Sequence, residues 1–146
     1  MYELPYGEDI NYWKTGSSSP DVWMDKTKKL ILGLGGEVLM EGFGSEPALG
    51  RSAFMLAFEI DGDRFKVIWP VLPSKTGNDL AARRQAATLL HHDIKAKCLS
   101  AVIIGARVSF FSHLLLPDGR TASQASIPEL QTYVPSLFTT PQIEGG

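Results

Sequence analysis

Asp61-Gly62 constrains this chain more than any other pair of residues. A two-residue type I′ turn requires positive φ at both central positions, and Asp-Gly is among the few dipeptides that accept it. On either side run "RSAFMLAFEI" (51–60) and "DRFKVIWP" (63–70), rich in the aromatic and branched residues that suit strands. A tight turn dictates the pairing of the strands it joins. Ile60 then lies opposite Asp63, Glu59 opposite Arg64, Phe58 opposite Phe65 and Ala57 opposite Lys66. Leu56 lies opposite Val67, Met55 opposite Ile68, and Phe54 opposite Trp69.

That register sorts the side chains onto two unlike faces. Phe54, Leu56, Phe58, Phe65, Val67 and Trp69 share one, which must be the core side. Met55, Ala57, Glu59, Arg64, Lys66 and Ile68 share the other, which is flat and mixed. Sheets that read single-stranded bases present exposed aromatic platforms. Here the rings lie on the side the core needs, which argues against a base-stacking sheet and leaves contact with a nucleic-acid backbone open. Met55, Ala57 and Ile68 are the expected interface if the flat face meets a second copy or another protein.

The rest of the chain is punctuated clearly. Ser19, Pro20 and Asp21 open a helix with a cap, a first-turn proline and an acid at the positive end of the dipole. Gly33, Gly35 and Gly36 end it. "EVLMEGF" (37–43) reads as a short strand before the hairpin. "TGND" (76–79) offers both a Thr76/Asp79 capping box and Asn78 as a rival cap for a long helix, which runs to about Ile104 and stops at Gly105. "RVSFFSHLLL" (107–116) reads as a strand, "PDGRT" as a turn into a further short strand, and Ser126 with Glu129 as a second capping box. The expected fold is α+β: an antiparallel sheet, made of a three-strand meander plus a C-terminal strand pair, packed on one face by the long helix and the N-terminal helix. Residues 1–18 form an aromatic-rich arm expected to dock on its own domain or on a second copy, 19–134 a single domain, and 135–146 an extended or loose tail.

Charge narrows the partners. With 14 basic and 16 acidic residues and a net charge of −2, the chain has no global attraction for a polyanion, so any nucleic-acid contact must be local. Cys98 is the sole cysteine, which excludes a disulfide framework and a multi-cysteine metal cluster. The N-terminus lacks a secretory pattern, and no apolar run approaches the ~20 residues of a membrane span. These features point to a cytoplasmic protein with no membrane association.

No familiar catalytic motif appears. Glu59, Asp61, Asp63 and Lys66 invite comparison with a nuclease site, but Arg64 stands two residues before Lys66 where an acid is needed, and the aspartates suit the turn. His91 and His92 point about 100° apart on a helix, and Lys95 shares the face of His91, so neither a metal site nor a cofactor is expected. His113, beside Phe111 and Leu115, reads as a packing histidine. On the long helix, Ala86, Ala87, Leu90, Ile94, Cys98 and Ala101 form the apolar stripe. Asp79 precedes Arg83 by four and Asp93 precedes Lys97 by four, pairing those cations. Arg84, Thr88, His91 and Lys95 remain as a narrow basic line.

The leading expectation is a non-catalytic binding module that contacts nucleic-acid backbone through Arg84, His91 and Lys95, helped by Arg64 and Lys66. Two readings stand beside it: a homo-oligomeric or protein-partner domain, and an enzyme with an unfamiliar site on the Lys66/His113 side of the sheet. Three strands followed by a basic helix resemble the layout of single-strand annealing proteins, at the level of fold alone and through no motif.

Overall fold

The hairpin forms in the register its turn dictates. The computed structural model describes residues 3–13, 18–46 and 50–126. In it Asp61 and Gly62 take φ of 52° and 83°, and the pairs from Ile60–Asp63 to Phe54–Trp69 all form. The two strands are β2 (Arg51–Ile60) and β3 (Asp63–Pro70). A third, β1 (Glu37–Glu46), pairs antiparallel with β2 to complete a β1-β2-β3 sheet.

β1 is longer than its sequence suggests, and it is bulged between Val38 and Met40. The extra residue resets the alternation of faces. Val38 therefore lies opposite core-facing Phe58, while Met40 joins Ala57 on the other face. Beyond the bulge Glu41 is on the helix side, where it accepts from Lys28 Nζ at 2.7 Å.

Two helices cover the aromatic face. α1 (Pro20–Gly33) is capped by Ser19, whose side chain accepts from the Val22 N–H. α2 (Asp79–Ile104) is capped by Asn78, whose Oδ1 accepts from the Ala81 N–H at 3.1 Å, so the rival cap prevails over Thr76. Leu90, Ile94 and Cys98 of α2 and Met24 and Ile31 of α1 meet Leu56, Phe58, Phe65 and Val67 in the core.

The C-terminal region departs from expectation. No C-terminal strand pair forms among the described residues. After Gly105 the chain makes a short helix, α3 (Ala106–Ser109), and a 3-10 turn over Phe111–His113. In place of the expected strands there are isolated bridges, Phe65 with Leu114 and Leu115 with Thr121. The reason is visible in burial: Phe110 is buried while Val108 and Phe111 are exposed, so the apolar run lacks the period of two that a strand requires. Phe110 instead completes a ring cluster, 5.2 Å from Phe58 and 5.5 Å from Phe65 between centroids.

Residues 122–126 are helical, opened by reciprocal bonds between Thr121 and Gln124: each backbone N–H donates to the other's side-chain oxygen. That capping box lies five residues before the Ser126/Glu129 box, which reaches outside the described residues, as do the tail over 135–146 and the end of the proposed domain at 134.

Candidate functional site

The polar chemistry gathers where the N-terminal arm, α1 and α2 meet. Gln85 of α2 is fully buried, and its Nε2 donates to the carbonyls of Gly7, Ile10 and Asn11 at 2.8, 3.2 and 3.0 Å. The Gly7 N–H donates to the Pro73 carbonyl at 2.8 Å. A side chain at Gly7 would collide with Trp13 and Gln85, which is why a glycine stands there. The Glu8 carboxylate accepts from Ser74 Oγ and the Lys75 N–H at 2.7 and 3.0 Å. Burial pushes the Glu8 carboxyl up, but these bonds outweigh it and bring its pKa down to about 2. The arm thus folds back on its own domain.

This docking places Tyr12 against α2. Its ring stacks on His92, with centroids 4.9 Å apart and planes 21° from parallel. Trp23 of α1 lies 5.2 Å from His91 and 5.9 Å from His92, and Lys26 Nζ sits 4.6 Å over the indole. His91 itself is buried, not part of an open line, with Nδ1 3.3 Å from Thr27 Oγ1. The Thr27 hydroxyl already donates to the Trp23 carbonyl at 2.9 Å, so His91 must carry its proton on Nδ1 and donate to Thr27. Burial depresses the pKa of His91, and the charges of His92, Lys95 and Lys26 depress it further.

Lys26 and His92 thus flank Trp23 beside His91, with Lys95 one turn further along α2, and two neighbouring carboxylates are engaged with other lysines. Asp25 pairs with Lys28 at 3.3 Å and Asp93 with Lys97 at 2.7 Å. Among the described residues Lys26, Arg84 and Lys95 form no ion pair within 4.0 Å. Two buried N–H donors, Trp23 Nε1 and Arg84 Nε, have no acceptor among the described residues. Such groups are rare because an unmet donor costs ~1–3 kcal/mol.

The basic line drawn from sequence survives only at its ends. Lys95 is exposed and Arg84 half-buried, with buried Thr88 between them donating to the Arg84 carbonyl at 2.7 Å. Asp79 and Arg83 form no pair, and the Arg83 guanidinium lies 5.7 Å from the Phe43 ring centroid instead. Sequence reasoning missed Tyr12, Trp23, Lys26 and His92. A signal did exist for one of them, since Lys26 follows Trp23 by three, the spacing that sets a cation over a ring on a helix.

Arg64 and Lys66 lie on the opposite face of the sheet from α2, so they do not join this cluster. Arg64 pairs with Glu59 at 3.2 Å. Met55, Ala57 and Ile68 are half-buried there, on the same face as more exposed Met40. Lys66 and Ile68 form one wall of a cavity of about 300 Å³, and Ser112, His113, Thr121 and Gln124 form the other. The Lys66 and His113 of the enzyme reading thus share a cavity, where burial and Lys97 hold the His113 pKa down. Cys98 is buried, which raises its thiol to about 11 and leaves it inert at neutral pH.

Among the described residues no group of three or more His, Cys, Asp and Glu could hold a metal ion, and no helix is long and apolar enough to cross a membrane. No protein-family model, no curated protein and no solved structure matches this chain, so its own residues carry the functional reading.

Proposed function

We propose that this chain is a non-catalytic module that holds the phosphate backbone of a single-stranded nucleic acid at the junction of arm, α1 and α2. The observation that supports this most is geometric: Lys26 Nζ sits 4.6 Å over Trp23, whose ring lies 5.2 and 5.9 Å from His91 and His92, Lys95 follows one turn along α2, and Lys26 and Lys95 form no ion pair among the described residues. Arg84 extends the cationic edge by two helical turns, roughly 10 Å along the axis. Tyr12, held by its stack on His92 and about a third exposed, offers an aromatic edge for a flexible strand. Local cations in an acidic protein favour capture at short range over long-range steering.

The test is fluorescence anisotropy of a labelled oligothymidylate across salt concentrations. Three phosphate contacts give a slope of roughly −2 in log affinity against log salt for a single strand. The double variant Lys26→Glu with Lys95→Glu should flatten that slope to about −0.7, the value for one remaining contact, and weaken binding by on the order of tenfold or more. Binding of equal strength by the double variant rejects this site. If Lys66→Glu alone removes it, the strand uses the opposite face of the sheet.

A further inference from the structure

We infer that a second copy of this chain docks on the C-terminal end of α2. Along 98–106 the sequence reads "CLSAVIIGA", nine residues without a charge. Cys98 continues the buried stripe of Leu90 and Ile94 into the core. Leu99, Val102 and Ile103, spaced at i, i+3 and i+4, form a second apolar stripe that faces outward. Val102 is 73% and Ile103 78% exposed. A helix apolar on both sides is built to be covered on both sides, and the described residues cover one.

The area is of the size a stable pair requires. Leu99, Val102, Ile103, Ile104, Val108 and Phe111 are each more than half exposed. At roughly 100 Å² apiece they expose about 600 Å² between them, spread over the end of α2 and the turns that follow it. Two such faces bury about 1,200 Å², the lower bound for a specific interface. Charge points to the same occupant. A polyanion or a charged peptide would find no counter-charge along 98–106, whereas a second copy brings an equally uncharged segment to it.

Shape adds a third argument. Between the end of α1 and α2 runs a groove of about 540 Å³, whose apolar walls are Leu30, Leu34, Ala96, Leu99 and Val102, with His92 and Lys95 at the end nearer the cationic site. The ridge of Ile103, Ile104 and Val108 stands on the same chain, so each copy carries both a ridge and a groove. A two-fold arrangement satisfies both at once.

Light scattering of the full-length protein over a range of concentrations tests this. The mass should rise to twice the 16.0 kDa of one chain or more. Val102→Glu and Ile103→Glu, alone or together, should return it to 16.0 kDa while the far-ultraviolet circular dichroism stays unchanged and the melting temperature loses its dependence on concentration. Both positions are exposed, so the charge falls in water in the free monomer. Leu80→Glu, at the other end of α2, should leave assembly intact. A wild-type mass of 16.0 kDa at every concentration overturns the inference, and means that the chain's own remaining residues or a different protein cover the face. Folded glutamate variants that assemble like wild type overturn it equally.

Discussion

Replacing Gln85 with leucine should release the N-terminal arm without unfolding the domain. The side chain is fully buried, and leucine is close to it in volume, so the core loses little packing. What it loses is the amide. An NH₂ group has two hydrogens, and here three carbonyls, those of Gly7, Ile10 and Asn11, compete for them. One bond is therefore shared, and two full hydrogen bonds is the proper count. At ~1 kcal/mol net for each, the arm loses about 2 kcal/mol of docking free energy. The three carbonyls are not stranded, because an undocked arm regains water, and this holds the cost near the net figure. Gln85 Oε1 has no hydrogen-bond partner among the described residues, so its removal returns part of the loss. Hydrogen exchange reads the result directly. The Gly7 and Ile10 amides, bonded to Pro73 and Gly7 carbonyls, should lose protection by roughly 30-fold for 2 kcal/mol, while amides of β2 and β3 keep theirs. If Gly7 and Ile10 exchange as slowly as in the wild type, Gln85 is not the clamp and the Glu8 contacts carry the arm alone.

Three further outcomes follow from individual residues. The Glu8 carboxyl is depressed to about 2, so the stability it lends is present above the unfolded value of 4.5 and is lost as pH falls through 2. Trp13 fluorescence should report the arm leaving in that window, and Glu8→Gln should remove the pH dependence. His91 is depressed below 6.5, so the stability of its neutral form is complete above that pH and declines as pH falls below it; urea midpoints should drop from pH 8 to pH 5 in wild type and drop by less in His91→Gln, where only the depressed His113 still contributes. Gly62→Ala forces a φ of 83° on a residue with a Cβ, at a cost of ~1 kcal/mol and a fall of roughly 3–5 °C in melting temperature. An unchanged melt would mean the hairpin shifts to another turn at no cost.

The parts legible in the sequence are those where local chemistry and tertiary structure agree. Asp61-Gly62 accepts only a few turn geometries, and so the register, the core face and the covering helices follow from it. The 107–116 run failed for the opposite reason. Its residues are largely apolar, and only the closing of the core around Phe110 selects a helical turn over a strand. The bulge at Val38/Met40 has no marker of its own, since it answers to the competing demands of Phe58 and Ala57 across the strand. The candidate site was half legible. Arg84 and Lys95 follow from helical spacing, but burial of His91 depends on α1, and Tyr12 reaches His92 only because Gln85 and Glu8 fold the arm back. Contacts between elements distant in sequence leave no local trace.

The most direct test of the strand-binding account is a ¹H–¹⁵N and aromatic NMR titration with a short oligothymidylate. The account predicts shifts that trace Tyr12, Trp23, Lys26, His92 and Lys95 and leave Arg64 and Lys66 unmoved. Shifts confined to the Lys66 face of the sheet, or none at all at low salt, would contradict it.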